Sequence, residues 1–391
     1  MENNTERNEQ IIRKKSRKKQ GLFHRTWILL SVLIVVLAAT VFSTMEDSNY
    51  FSSLRRWLMY GDGAQTQNLY TYTSHQSNRC VLLGDDLLLV NPNNIQLLRQ
   101  GGTILYDLQT NMHSPMISVG SKLAAVCDTG GNIVYILNHT GLLWTHTAAS
   151  GQICYSARMN TSDYLTVIEQ KSGYKASVIV YNSSGEPIFR FDSHDNYLSD
   201  AIVTNDGKHL IVVALEAKGG AFLSNFIVYN LSTAERVSTS ALYDGLVLDL
   251  TLNKNEIISL CDRRLVITTS ENEQILNYAY GERYLHNYAL TGDDFCTLLL
   301  GRYQSSNICQ LVNFDMDGTQ LATLDLTEEV LDMNASGDYL AVLYSDSLVI
   351  YDRTLNEIAR LDGTDYAGQV QMNKDGTALL AAETSAWRFL P

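Results

Sequence analysis

Short apolar runs, each introduced by polar turn residues, recur along most of the chain at intervals of about 36 to 47 residues. This spacing is typical of propeller blades with four antiparallel strands, whereas helical repeats of similar length show a 3.6-residue apolar period. Eight units can be read: GDDLLLV from Gly84, GSKLAAV from Gly120, SDYLTVI from Ser162, DGKHLIVVA from Asp206, NKNEIISL from Asn253, GDDFCTLLL from Gly292, SGDYLAVLY from Ser336 and DGTALLAA from Asp375.

The chain is therefore predicted to fold as an all-β, eight-bladed β-propeller. The fifth unit, which begins at Asn253, has the weakest pattern of the eight. If it merged with a neighbouring unit, the ring would have seven blades, and the sequence leaves this alternative open.

A second alternating segment follows most of these units and ends in a turn rich in Asn, Asp, Gly and Ser. Asn, Asp and Gly tolerate the positive φ angles that tight hairpins require. The segments are thus predicted to be the third strand of each blade and its hairpin turn: NIQLLRQGG, NIVYILNHTG, SVIVYNSSG, NFIVYNLST, RLVITTSEN, QLVNFDMDG and SLVIYDRTL.

The last unit lacks a fourth strand of its own, because the chain stops after DGTALLAAETSAWRFLP. Residues 65–73 (QTQNLYTYT) alternate as a strand should, and they precede the first full unit. We expect them to pair with Ser385 to Leu390 and close the ring, which would remove exposed sheet edges. The propeller is accordingly assigned to residues 65–391.

A transmembrane helix is predicted from Thr26 to Met45, where twenty residues contain no charged side chain. At 1.5 Å per residue this segment can cross a hydrocarbon core of about 30 Å. It separates a basic tail, residues 1–25, from a juxtamembrane linker, residues 46–64. The lipid bilayer is therefore an expected partner of the chain.

Basic residues precede this segment and acidic residues follow it. Residues 13–19 are rich in Lys and Arg, whereas Glu46 and Asp47 come directly after the helix. The positive-inside rule then places the N-terminus in the cytoplasm and the propeller outside the cell membrane. A cleaved signal peptide is the competing interpretation, but Val41-Phe42-Ser43 is a poor cleavage site, and both interpretations export the body.

The charge balance argues against nucleic acid as a partner. The chain has a formal net charge of −13, and residues 1–26 carry eight Lys or Arg against three Glu, which leaves −18 for the rest. A nucleic-acid surface needs a basic patch to neutralise phosphates. The acidic body does not provide this.

Residues 114–153 and the segment NASGDYLAVLYSDSLVIYD resemble blades of a family of uncharacterised single-pass membrane proteins from Gram-positive Firmicutes. The resemblance covers nearly the whole chain from Trp27 onward. It implies an extracytoplasmic propeller of the quinoprotein-like or WD40-like type, and it implies no cofactor. Asn138-x-x-Gly141-x-x-Trp144 is similar to the tryptophan-docking turn of quinoprotein-like blades, but no Trp-Asp dipeptide occurs, which departs from WD40 blades.

Six cysteines are present, without a CxxC motif and mostly within apolar strands. Four are expected to be buried thiols in the core: Cys80, Cys127, Cys154 and Cys261. Cys296 and Cys309 fall on neighbouring predicted strands of the sixth blade, so a disulfide between them is the one pairing considered.

Motifs for catalysis and metal binding are weak. Asp315 to Gly318 contains two alternate carboxylates before a glycine, as in part of a calcium loop, but the same position is a hairpin turn in sibling units. Ser172-x-x-Lys175 matches one motif of penicillin-recognising enzymes without its partner motifs. His139 and His146 flank Trp144 without metal-ligand spacing. We therefore predict no catalytic residue, no metal ligand and no cofactor.

One connection differs in length from its equivalents. Residues 216–224 of the fourth unit are predicted to form a long loop around Gly219 and Gly220. Long loops on a rigid propeller are where ligands are usually bound, although drift in loop length explains this one equally well.

Three functional hypotheses follow. The first is a non-enzymatic binding or scaffold module at the cell envelope, with a protein or cell-wall partner. The second is a ligand sensor or enzyme with a site in the central channel, where Asp and Tyr residues of the innermost strands could converge. The third assigns the basic tail to anionic lipid or to a cytoplasmic partner.

Overall fold

A computed structural model of the chain describes residues 65–391, apart from residues 74, 76, 219–220, 243–244, 255, 270–272, 306–307 and 365. The predicted tail, the transmembrane segment from Thr26 to Met45 and the linker lie outside these residues. Within the described part, no helical segment has the length and apolarity needed to cross a bilayer.

The described residues form 32 strands in eight four-stranded antiparallel sheets, the blades. Blade 1 contains β2 (Arg79–Leu83), β3 (Asp86–Val90), β4 (Asn94–Leu98) and β5 (Ile104–Gln109). Blade 2 contains β6 (Pro115–Val119), β7 (Ala124–Asp128), β8 (Ile133–Asn138) and β9 (Gly141–Thr147). Blade 3 contains β10 (Cys154–Met159), β11 (Leu165–Glu169), β12 (Ala176–Tyr181) and β13 (Pro187–Ser193). Blade 4 contains β14 (Tyr197–Val203), β15 (His209–Lys218), β16 (Ala221–Asn230) and β17 (Arg236–Leu242).

The second half of the ring repeats this arrangement. Blade 5 contains β18 (Val247–Asn253), β19 (Glu256–Cys261), β20 (Arg264–Thr269) and β21 (Gln274–Ala279). Blade 6 contains β22 (Tyr284–Gly292), β23 (Phe295–Gly301), β24 (Cys309–Asp315) and β25 (Gln320–Leu326). Blade 7 contains β26 (Val330–Ser336), β27 (Tyr339–Tyr344), β28 (Ser347–Asp352) and β29 (Glu357–Asp362). Blade 8 contains β30 (Gln369–Met372), β31 (Ala378–Ala381), β32 (Ser385–Leu390) and, as its fourth strand, β1 (Gln65–Thr71).

The prediction of eight blades is confirmed, and the seven-bladed alternative is wrong. The weak fifth unit forms a complete blade, β18 to β21. The predicted closure is also confirmed, since β1 pairs antiparallel with β32 from Gln65 opposite Leu390 to Thr71 opposite Ser385. Blade 8 is therefore built from both ends of the described chain.

The core lies between the blades and not within them. Eight clusters of buried apolar residues are present, and each joins strands of two neighbouring blades. The second strand of a blade is covered on both faces, so β7, β11, β23 and β27 are buried along their whole length. This burial explains why the repeated phrase in the sequence is a continuous apolar run.

The first strands of the blades line the central channel, and the fourth strands lie on the outer wall. Neighbouring first strands contact one another, for example β22 with β26 and β26 with β30. The fourth strands β5, β21 and β29 alternate between exposed and half-buried residues, as expected for a strand with one solvent face.

The connections divide the ring into two faces. The tight-turn face carries the hairpins between first and second strands and between third and fourth strands. The long-connection face carries the links between second and third strands and between successive blades. Because β32 begins at the long-connection face, its end at Leu390 and the paired Gln65 lie on the tight-turn face.

The predicted long loop in blade 4 is wrong. Strand β15 continues to Lys218 and β16 begins at Ala221, with the two paired in register to their ends. Residues 216–224 are therefore mostly strand, in an extended hairpin of two ten-residue strands.

Candidate functional site

Polar side chains recur at one position of the innermost strands. In blades 4 to 7 the first strand contains a register shift, and an Asp or Asn follows it: Asp200, Asp249, Asn287 and Asp332. Each side-chain Oδ1 accepts the backbone N–H of the next residue, at 2.8 to 2.9 Å. Bulges of this kind re-aim a side chain, and here they repeat the same polar position in four consecutive blades.

Arg158 of β10 joins three blades in the channel. Its Nε lies 2.8 Å from Asp200 Oδ1, its Nη2 lies 2.7 Å from Asp200 Oδ2, and Nη2 also contacts Asp249. Burial lowers the pKa of the guanidinium, but the two carboxylates outweigh this effect and raise it. Burial also raises the pKa of Tyr288, and the Asp249 carboxylate adds to that shift. The cluster therefore holds a charged arginine and a neutral phenol.

Side chains of blades 7 and 8 bond the backbone of the next innermost strand. Asp332 is half-buried, and burial raises the pKa of its carboxyl against the effect of two backbone N–H donors. Side-chain to backbone hydrogen bonds connect blade 7 to blade 8 and blade 8 to blade 1. The acceptors and donors are Asp332 Oδ2 with Val370 N–H, Asn334 Oδ1 with Met372 N–H, Gln369 Oε1 with Cys80 N–H, and Gln371 Oε1 with Leu82 N–H, at 2.9 to 3.1 Å.

Of the Asp and Tyr residues expected to converge in the channel, Asp200, Asp249 and Tyr288 meet around Arg158, and Asp332 lies apart from them on blade 7. However, the groups bond one another or the neighbouring strand. A cavity of about 180 Å³ lies beside Asp332, lined by residues of β2, β26, β30 and β31. The main effect of the channel polar groups is to hold neighbouring blades together.

A second polar site lies on the outer side of the interface between blades 2 and 3. Glu169, at the end of β11, accepts from Arg190 Nη2 at 2.8 Å and lies 2.9 Å from His146 Nε2. The other ring nitrogen of His146 is 2.8 Å from the Tyr181 hydroxyl. Glu169 and His146 are almost fully buried. The four side chains form one continuous network that crosses the interface.

Trp144 docks against the next blade at the same interface. A Cβ added to Gly185, in the turn after β12, would lie 2.7 Å from Trp144 Nε1, so only glycine permits this approach. Tyr106 of blade 1 meets Gly141 of blade 2 in the same way. The Asn138 to Trp144 motif therefore contacts both neighbouring blades. Gly141 packs against blade 1, and Trp144 packs against blade 3.

These residues line a groove of about 700 Å³, here called the blade 2/3 groove. Trp144 to Thr147 of β9 form one wall, and residues of blade 3 form the other. The Trp144 and Tyr181 rings are 4.9 Å apart between centroids and lie tilted at 48°. The groove is a large concave feature of the outer wall, and it combines aromatic and charged side chains.

Exposed aromatic residues are confined to one face of the ring. Every exposed tyrosine in the described part of the chain lies on the long-connection face. By contrast, Ile104, Leu143, Ile188, Val237 and Ile358 are exposed singly on outer strands. The five tyrosines on the long-connection face are Tyr174, Tyr197, Tyr284, Tyr303 and Tyr366.

The suggested disulfide between Cys296 and Cys309 is wrong. Cys296 lies opposite Phe314, whereas Cys309 lies opposite Gly301, five positions away along β23. Five residues of strand span roughly 16 Å, and a disulfide needs Cα atoms within about 7 Å. Adjacent strands alone did not bring the two sulfurs together.

The remaining candidates are structural elements. Asp315 to Gly318 forms the hairpin turn after β24, in which Asp315 N–H donates to Thr319 O and Arg353 pairs with the Asp315 carboxylate. Ser172 and Lys175 lie in the connection between β11 and β12. Residues 65–391, apart from the gaps in that range, contain no cluster of three or more His, Cys, Asp or Glu placed to hold a metal ion.

The individual residues of the buried network and of the channel cluster were not predicted from the sequence. His146 and Glu169 are 23 positions apart and meet only through blade packing. The channel residues left a usable signal, since Asp200, Asp249, Asn287 and Asp332 recur at roughly the blade period.

This geometry defines an eight-bladed β-propeller whose fold is shared by several solved structures. BamB from Moraxella catarrhalis is 12% identical with a TM-score of 0.53, covering 83% of this chain and all of that one. The C-terminal WD40 domain of Sif2 is 15% identical with a TM-score of 0.59, covering 83% and 98%. The computationally designed Ika8 protein is 13% identical with a TM-score of 0.60, covering 82% and 99%. At such identities these likenesses establish the fold alone.

The model of a family of unknown function, DUF5711, matches residues 61–364, and the chain belongs to that family. No curated protein matches the sequence significantly. The expected resemblance to a propeller family of unknown function is thereby confirmed, whereas its Firmicute origin and its membrane anchor remain expectations.

The docking of Trp144 on Gly185 gives a stability prediction. Gly185→Ala should lower the free energy of unfolding by about 1 to 3 kcal/mol more than Gly173→Ala. Both glycines have φ near +80°, but an added Cβ meets Trp144 only at Gly185 and open space at Gly173. Urea unfolding of the two variants measures the difference, and equal losses would contradict the docking of Trp144 on this turn.

Asp332→Asn should show a pH-dependent cost. The Val370 and Met333 N–H groups donate to different oxygens of Asp332, and an amide has only one oxygen, so the variant loses one of these bonds. Burial raises the Asp332 pKa above its ordinary 3.8, so the stability this group contributes is present below that pH and is lost as the pH rises. The variant's deficit in unfolding free energy should therefore be larger near about pH 4 than near about pH 7. Urea titrations at both pH values test this, and a larger deficit at neutral pH would refute it.

Proposed function

We propose that this protein is a membrane-anchored, extracytoplasmic propeller that binds another protein through its long-connection face and has no enzymatic role. The observation that carries the proposal is the placement of all exposed tyrosines of the described residues on that face. Tyrosine supplies large contact area at low entropic cost, and it is enriched at the energetic centres of protein interfaces.

The charges on this face favour a protein partner over a lipid or a nucleic acid. Glu328 and Glu329 are exposed before β26, whereas Arg263 and Arg302 are exposed on neighbouring connections. Phosphate backbones and anionic bilayers would require a predominantly basic surface. A face with tyrosines and both signs of charge suits a protein surface of mixed polarity.

The rigidity of the ring supports a scaffold role. Each apolar cluster joins two blades, and the channel side chains bond across blades, so the connections are displayed on a fixed frame. The similar structures include a WD40 domain and a designed propeller, and their likeness to this chain concerns the fold and indicates no activity.

The alternative proposal, a ligand or substrate in the channel, is favoured by one observation. Ionisable groups of blades 3 to 7 do line the channel. Arg158 already satisfies Asp200 and Asp249, however, and Asp332 accepts two backbone donors. A channel ligand would have to displace these bonds, so the long-connection face remains the preferred binding site.

Site-specific photo-crosslinking in the native host tests the docking face. A photoreactive amino acid at Tyr303 or Tyr366 should capture the same protein, whereas Lys208 and Ser183 on the tight-turn face should not. Tyr284→Ser should reduce this capture by about fivefold to thirtyfold, the effect of losing 1 to 2 kcal/mol at an interface.

The proposal requires that Tyr303 and Tyr366 capture the same protein. Capture of different proteins at Tyr303 and Tyr366, or equal capture from Lys208, would contradict docking at the long-connection face. A yield unaffected by Tyr284→Ser would exclude the tyrosines as the contact.

Cysteine labelling in intact cells tests the anchor and its orientation. Five native cysteines are buried, and burial raises the pKa of the half-buried Cys80 to about 11, so the native thiols should react slowly. Lys208→Cys should react with a membrane-impermeant maleimide in intact cells. Lys15→Cys should react only after the cells are permeabilised. The opposite pattern would overturn the proposed topology.

A further inference from the structure

The blade 2/3 groove has the size of a small-ligand site and a wall of two aromatic rings. Its volume of about 700 Å³ falls within the range of pockets that hold small molecules. Trp144 and Tyr181 are both half-buried, so each ring is packed on one side and reaches the groove on another. Ring faces carry partial negative charge and attract C–H groups.

The charges around the groove compensate one another. Arg190 pairs with Glu169 at 2.8 Å and with Asp192 at 3.1 Å, and Lys171 also contacts Asp192. Two cations thus face two carboxylates. The two pairs leave the groove without net charge in a body of −18, so an anionic ligand gains no net attraction there, whereas an uncharged ligand leaves the pairs intact.

Hydrogen-bonding capacity remains in the groove after these pairs are formed. A guanidinium has five N–H donors, and only Nε and Nη2 of Arg190 are engaged by described residues. The Lys171 ammonium has three donors, and its bond to Asp192 uses one. The hydroxyl of Ser172 is on an exposed residue that lines the groove, and the side chain of Gln152 lines it as well. The groove therefore offers donors and acceptors beside an aromatic wall.

We infer that the blade 2/3 groove binds a neutral oligosaccharide. A sugar ring has one face of C–H groups and a rim of hydroxyls, which matches an aromatic wall bordered by polar groups. The buried network of His146 and Glu169 fixes Arg190 and Tyr181 in place. Burial and the Glu169 charge raise the pKa of Tyr181, so its hydroxyl stays protonated and serves binding only. The groove reaches the long-connection face at Lys171 and Ser172, beside Tyr174, whereas its aromatic wall lies on β9 and at the end of β12.

The test measures binding to the full chain in a detergent without a sugar head group. Chitotetraose, cellotetraose and maltotetraose are titrated to about 10 mM, a concentration that would nearly saturate a weak site with a Kd of about 1 mM. Binding is followed by calorimetry and by the change in tryptophan fluorescence, to which Trp144 of the groove contributes. At least one tetrasaccharide should bind, and a tetragalacturonate of similar length should bind more weakly because it is charged.

Two matched variants locate the site. Ser172→Arg places a long side chain at the edge of the groove and should weaken binding at least tenfold. Thr239→Arg introduces the same side chain at an exposed position of β17, away from the groove, and should leave binding unchanged. Both variants should unfold at the same urea concentration as the parent chain.

The possible outcomes decide the proposal. Binding that survives Ser172→Arg, tighter binding of tetragalacturonate, or no binding of any tetrasaccharide would each overturn it. If a tetrasaccharide binds, co-sedimentation with insoluble chitin or cellulose then distinguishes a polymer source from a free oligosaccharide.

Discussion

The pairing of β1 with β32 is the interaction on which the rest of the molecule depends. Every apolar cluster lies between two blades, so a blade has no sufficient core of its own. Blade 8 is incomplete without β1, and Leu69 and Tyr70 of that strand supply buried side chains to the cluster between blades 8 and 1. The Tyr70 hydroxyl also donates to Asp85 O of blade 1 at 2.7 Å. Closure therefore completes two interfaces at once.

The functional surfaces follow from this closed frame. Within the channel, Gln369 and Gln371 bond the backbone of β2, which is possible only when blade 8 stands beside blade 1. The tyrosines of the long-connection face keep fixed relative positions because the ring beneath them is closed. The blade 2/3 groove is likewise a product of packing between blades, since its two walls belong to different sheets.

The fold was predictable because the pattern of apolar and polar residues repeats at regular intervals along the chain. Apolar runs at the blade period gave the second strands, and the alternation of QTQNLYTYT gave the closing strand. The site was less predictable because its residues meet through packing. No local pattern links His146 to Glu169, and the position along each strand that separates Cys296 from Cys309 depends on register. The extended hairpin of blade 4 was misjudged because Gly219 and Gly220 resemble loop residues, although strands continue to either side of them.

Amide hydrogen exchange of the full chain tests closure most directly. If β1 closes the ring, the amides of Thr66 to Thr71 that are paired with β32 should exchange as slowly as those of the buried strand β27, through global unfolding. Rapid exchange in β1 while β27 stays protected would show that the strand opens independently. The closing strand would then not hold the ring together, which would contradict the dependence of the whole propeller on the pairing of β1 with β32.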